Sequence, residues 1–284
     1  MVALAWMSGT LISFCLMAVG ARELSEEIPV FQTLFLRSVI GLILISSVIL
    51  LLDKKQVFRT ERVALHGLRN MFHFCGQYGW FVGIGLLPLA EVFALEFTVP
   101  IWTAIIAAFF LRETINPRKA VSIFLGLLGV VVIVRPGVEI IDSASLIVLG
   151  AAVCYAVSYT ATKSLSSSES PLTVLFYMCL VQLPVSLLLS LSAWTWPAGI
   201  QWLWLLVIGT TALSAHFCLV KAMGYAEVTT VITLDFLRLP LIAMLGVLLY
   251  NEEFELYLLI GGALMLLGNW INFSRLRVSP QKRG

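Results

Sequence analysis

The chain has 284 residues, a net charge of +2, 60% hydrophobic residues and only 12% charged ones, against roughly 25% charged in an ordinary soluble domain. Apolar runs recur from end to end, which leaves no room for a separate globular domain. No basic stripe with aromatic platforms accompanies them, which excludes nucleic-acid binding.

A membrane-crossing helix needs about 20 apolar residues, and runs of about that length fall at 4–20, 29–52, 65–87, 90–111, 119–134, 145–161, 171–191, 201–220, 226–250 and 256–273. The first lacks a basic leader and a convincing cleavage site, so a retained helix is expected there. The fifth and sixth are short and rich in small residues, which let helices approach closely. Five cysteines, Cys15, Cys75, Cys154, Cys179 and Cys218, lie within apolar runs without a C-x-x-C pair, which fits packing in place of redox or metal chemistry.

Alternate connections differ sharply in basic residues. One set, with the C-terminal tail, carries Lys54, Lys55, Arg59, Arg62, Arg112, Arg118, Lys119, Lys163, Lys221, Arg275, Arg277, Lys282 and Arg283, while the other carries only Arg22 and Arg135. The positive-inside rule makes the crowded side cytoplasmic, with both termini on it. Trp194, Trp196, Trp202 and Trp204 around the seventh connection form an interfacial belt. The acidic residues of the outer connections, among them Glu23, Glu252 and Glu253, are expected to be solvated ends.

A weak internal repeat links the halves. "LPLAEVFALEFTVPIW" opens the fourth run and "MGYAEVTTVITLDFLRLPLI" the ninth, each with Ala-Glu-Val, then a carboxylate shortly before a proline: Glu96 and Pro100, Asp235 and Pro240. A glutamate follows at the far end, Glu113 in one half and Glu252 or Glu253 in the other. The second copy has four extra residues between Ala-Glu-Val and proline, about one helical turn. Five spans per half is an odd number, so the halves run upside down relative to each other, as in many secondary transporters.

These segments, with "FLGLLGVVVIV" and "IGGALMLLGN" after them, resemble the drug/metabolite transporter superfamily, EamA type, over nearly the whole chain. The resemblance implies an all-α integral membrane protein of ten transmembrane helices, as two inverted five-helix repeats at 1–137 and 138–284. It also implies alternating access to a central cavity without ATP hydrolysis. Where that family often has Gly-Glu after the fourth and ninth spans, this chain has Arg112-Glu113 and Asn251-Glu252.

Inside the third run, "RNMFHFCGQYGW" places Arg69, His73, Gln77 and Trp80 on one helical face with Asn70 at its edge. A polar stripe at that depth lines a cavity or a hydrogen-bonded helix contact. Both readings stand for His73 and Gln77, and proton coupling by His73 is a further expectation. Arg69 is close enough to the interface to snorkel. Gly76, Gly79 and Gly83 on a neighbouring strip fit close helix packing. Asp235 and Arg238, three apart, can pair on one face; a packing role and a binding role are both open. Glu96 has no obvious partner on its own helix; Arg37, at similar depth, is one candidate, and for Arg37 a cavity role and helix-to-helix bonding are both open. Pro100 and Pro240 withdraw amide donors, which frees carbonyls tolerated where they line a cavity or are buried in protein. The "HFC" shared at 73–75 and 216–218 carries little weight, and His216 with it. Trp80, Tyr78 and Trp102 offer aromatic walls or ordinary packing.

The candidate substrate-binding residues are therefore His73, Gln77, Trp80, Glu96, Asp235, Arg238 and Arg37. No H-e-x-x-H, phosphate-cradling or nucleophile-elbow motif points to an enzyme, and no cofactor or metal is expected. The expected function is secondary-active transport of a small, amino-acid-like metabolite across a bacterial-type inner membrane. The alternative is a non-transporting membrane subunit with a lipid-handling or assembly role. Expected partners are the solute, the bilayer, a proton as coupling ion and a second copy in a homodimer.

Overall fold

The computed structural model describes residues 2–110, 117–134, 143–226, 228–235, 238–253 and 256–273. Twelve α-helices occur among them: α1 (Val2–Leu24), α2 (Val30–Leu51), α3 (Val63–Leu86), α4 (Leu89–Glu96), α5 (Val99–Phe110), α6 (Pro117–Val134), α7 (Ser143–Leu165), α8 (Pro171–Ser190), α9 (Gln201–Tyr225), α10 (Val228–Asp235), α11 (Arg238–Tyr250) and α12 (Leu256–Phe273). A short 3₁₀ turn, Lys55–Phe58, joins α2 to α3. The ten expected spans are present, the fourth as α4 and α5 and the ninth as α10 and α11.

Prolines mark several entries, because a missing N–H costs nothing in a first turn. Pro29 and Pro88 precede α2 and α4, while Pro117 and Pro171 begin α6 and α8. Ser170 caps α8 by accepting from the Thr173 amide at 3.1 Å. Among the described residues six helical stretches are long and apolar enough to cross a membrane. With 24 residues α3 matches them in length but is not one of them, since its polar side chains lower its hydropathy.

The fourth span breaks where Pro100 has no N–H for the Glu96 carbonyl. Helix α4 stops at Glu96, and the Thr98 amide turns back to the Leu95 carbonyl at 3.1 Å before α5 starts. In the ninth span α10 ends on Asp235 and α11 begins at Arg238. The expected clash of Pro240 with the Phe236 carbonyl falls outside the described residues, as does Glu113.

Packing follows the repeat. Helix α1 lies against α9 and α3 against α7, contacts that exchange when the nth span of one half replaces the nth of the other, whereas α2 against α8 and α6 against α12 map onto themselves. The bundle is thus two inverted five-helix repeats. The glycine strip of α3 makes its close approach to α7. A Cβ on Gly76 would meet the Tyr155 ring at 2.9 Å, and one on Gly79 the Ala151 methyl at 2.9 Å.

Candidate functional site

Where α3, the break of the fourth span and the ends of α10 and α11 converge, a charged cluster is sealed from solvent. Arg238 Nη2 donates to Asp235 Oδ2 at 2.8 Å and to Glu96 Oε1 at 3.0 Å, and Trp80 Nε1 donates to Glu96 Oε2 at 2.9 Å. The Arg238 guanidinium lies between the Phe14 and Phe93 rings, its Cζ 4.6 Å from each centroid, where the ring quadrupoles favour a cation. All four side chains are buried. The i,i+3 pair of Asp235 and Arg238 is therefore formed, and it also receives Glu96 from the other half. Glu96 pairs with Arg238 and not with Arg37, because the broken fourth span turns its carboxylate towards the ninth. Among described residues Asp235 Oδ1 and Arg238 Nε have no hydrogen-bond partner. Glu96, Tyr159, Asp235 and Arg238 border a cavity of about 10 Å³, room for about one water.

A second polar chain crosses from α2 to α3 through α8. Arg37 Nη1 donates to Gln182 Oε1 at 3.4 Å, and Gln182 Nε2 meets His73 Nδ1 at 2.8 Å. His73 packs edge-on against His216, with ring centroids 4.7 Å apart, and against Tyr155 at 5.7 Å. Arg69 Nη1 donates to Asn70 Oδ1 at 2.6 Å and its Nε to Thr162 Oγ1 at 3.1 Å. With no exposed surface, Arg69 is turned inward and does not snorkel. Gln77 is buried, and neither its Nε2 nor its Oε1 has a partner among described residues.

The seven expected site residues thus divide into Trp80, Glu96, Asp235 and Arg238 in one cluster, His73 and Arg37 in a neighbouring chain, and Gln77 on α3 with no hydrogen-bond partner among described residues. Gln182, Thr162 and the His216 contact were missed. A lone amide inside the apolar eighth run was a visible signal for Gln182. The "HFC" pairing was a signal for His216 that the Ala-Glu-Val register obscured. Tyr78 stacks on Phe31 at 4.5 Å and is one-third exposed, and Trp102 Nε1 bonds Thr98 Oγ1 at 3.2 Å.

Glu252 corrects another expectation, since it is no solvated end. It accepts the Arg22 guanidinium at 2.7 Å and the Leu89 amide with both oxygens at 2.9 Å, which caps α4, while Arg22 also reaches the Leu87 carbonyl at 2.7 Å. Lys163 holds the same place in α7 as Arg22 in α1, third from the end. Its Nζ donates to the Met223 and Ala226 carbonyls, at 2.7 and 2.8 Å, where α9 gives way to α10. Two larger clefts lie elsewhere among the described residues. One of about 810 Å³ is edged by α2, α8 and α9, and one of about 500 Å³ lies between α11 and α12. Both are lined mainly by apolar side chains.

Comparison with known proteins bears on what such a bundle does. The model of the EamA-like transporter family matches residues 1–135 and 142–274. An S-adenosylmethionine uptake transporter of Rickettsia felis is 28% identical over 87% of this chain and 84% of its own length. A riboflavin transporter of Vibrio cholerae is 28% identical over 92% and 89%. A solved crystal structure superimposes with a TM-score of 0.73 at 20% identity, over 95% of this chain and 96% of that one, which bears on the fold alone. The chain belongs to the EamA-like transporter family, as a multi-pass membrane protein.

Proposed function

We propose that this chain is a secondary carrier that moves a small organic metabolite across the bacterial inner membrane by alternating access, with the repeats 1–137 and 138–284 as its two moving halves. The observation that carries the reading is the enclosed cluster of Trp80, Glu96, Asp235 and Arg238. Ionisable groups within membrane helices are costly and concentrate on transport pathways, and here they come from the fourth and ninth spans of opposite halves. A space of about 10 Å³ admits no metabolite, so the helices must part for a solute to enter.

One contact between the halves bears on how they part. Arg22 of α1 and the Leu89 amide of α4 meet Glu252, after α11, at the outer end, whereas Lys163 and the Met223 and Ala226 carbonyls all lie within the second repeat. Release of the Glu252 clamp would free the first repeat from the second on the outer side. The basic bias of the connections supports this orientation, with both termini cytoplasmic. Asp235 Oδ1, an acceptor unpartnered among described residues, suits a protonated amine, and His73 is the group for a coupled proton.

The test is counterflow uptake in proteoliposomes across pools of amino acids and their nucleoside conjugates, flavins and polyamines, with S-adenosylmethionine and riboflavin as individual solutes. Saturable exchange of one solute is expected. An absence of exchange from every pool by monodisperse protein contradicts the proposal.

A further inference from the structure

Among the described residues the buried charges of the bundle do not balance. Arg37, Arg69 and Arg238 are all buried, against two buried carboxylates, Glu96 and Asp235, and Arg238 holds both of these. Arg69 spends its Nε and Nη1 on Thr162 and Asn70. Arg37 is different. It is 3% exposed, yet among described residues its Nε and Nη2 have no acceptor, and its one bond runs from Nη1 to Gln182. Those two nitrogens form the guanidinium edge on which an oxyanion docks with two parallel hydrogen bonds. Leaving such a charge-bearing donor pair buried and unsatisfied is costly.

The bond pattern around Gln182 adds another donor. Arginine only donates, so the Gln182 atom facing it is the carbonyl oxygen, and the amide nitrogen faces α3. That nitrogen lies 2.8 Å from His73 Nδ1 and 3.5 Å from the Asn70 carbonyl. His73 Nδ1 therefore accepts, and the ring proton sits on Nε2, which has no partner among described residues. The chain Arg37–Gln182–His73 thus has unsatisfied donors at both ends. Arg37 stands seven residues into α2 and His73 ten into α3, about 10 and 15 Å along their helices, well inside the membrane.

We infer that Arg37, held by Gln182 and assisted by His73 Nε2–H, is an oxyanion subsite that takes the carboxylate of the transported solute. The inference rests on the carrier reading above and narrows it to carboxylate-bearing metabolites. In that arrangement the carboxylate meets Arg37, and a cationic group of the same solute meets Asp235.

The test pairs acids with partners that lack only the carboxylate: S-adenosylmethionine with its decarboxylated form, tryptophan with tryptamine, and methionine with 3-methylthiopropylamine. Riboflavin is the neutral solute. Counterflow is measured for the parent, Arg37→Gln and Arg37→Lys, with melting temperature as the folding control. The subsite requires that an exchanged solute be an acid whose amine partner is at least about tenfold weaker. It also requires that Arg37→Gln raise that acid's half-saturation concentration by about 10- to 100-fold, the worth of a hydrogen bond to a charged group. Arg37→Lys, which keeps the charge but loses the fork, should fall between. If Arg37→Gln does not fold, the acid-to-amine ratio of the parent and the intermediate lysine variant still decide. Equal exchange of acid and amine, acid exchange indifferent to Arg37, or exchange of riboflavin alone overturns the subsite and leaves the carrier reading standing. Exchange of no solute at all removes the carrier reading and the subsite with it.

Discussion

Arg238 is the residue on which the central cluster turns, because it is the counter-charge of two buried carboxylates at once. Removal of one partner from a buried ion pair typically costs about 3–5 kcal/mol, since the other charge is left uncompensated. Arg238→Gln should accordingly lower the melting temperature of purified protein far more than Trp80→Phe. The latter deletes one donor to Glu96 Oε2 and should cost about 1–3 kcal/mol. A smaller loss for Arg238→Gln than for Trp80→Phe would mean that the carboxylates are not held by this arginine. Part of the cluster was legible in sequence. Asp235 and Arg238 stand three apart in one span, a spacing at which the two can pair. The bond from Glu96 to Arg238 was not legible, because it joins residues 142 apart and depends on how the fourth and ninth spans meet. Depth along the membrane pointed to Arg37 instead, since depth carries no information about direction around the bundle axis.

At the scale of elements, the contact of α3 with α7 distinguishes two kinds of glycine. Gly76 faces the Tyr155 ring, whereas a Cβ on Gly67 would meet nothing within 4 Å. Gly76→Val should push the helices apart and destabilise by about 1–3 kcal/mol, the usual cost of overpacking. Gly67→Ala should be neutral or stabilising by up to about 1 kcal/mol through helix propensity. Thermal melts of the two variants in one detergent check the contrast, and equal behaviour would contradict this packing. The clamp of α4 yields a second expectation. Glu252→Gln weakens the tie to Arg22 and the charge that caps Leu89, so a cysteine introduced by Ala90→Cys in a background without the native cysteines should label faster with an impermeant reagent from outside. Unchanged labelling would argue that Glu252 is no clamp. Prolines and small residues made the helix breaks and the α3 strip visible beforehand. The clamp was invisible because a glutamate beside a predicted loop looks solvated until the neighbouring helix ends are in place.

Over the whole molecule, the odd number of spans in each half was enough to give the inverted repeat, and the exchange of α1–α9 with α3–α7 contacts expresses it in packing. Orientation follows from the Lys and Arg bias, and reporter fusions at the two termini should both be active in the cytoplasm. Opposite locations would contradict an even number of spans.

The central claim is that the cluster shared by the two halves lies on the route of a transported solute. Its most direct test is counterflow in proteoliposomes with the parent, Glu96→Gln and Asp235→Asn, using whichever solute the parent exchanges. Both variants keep the side-chain shape and most hydrogen bonds. The account predicts folded proteins whose exchange falls at least about tenfold, as expected where a charged hydrogen bond is lost. Folded variants that exchange at the parent's rate and affinity would place the route elsewhere and leave the cluster a packing device.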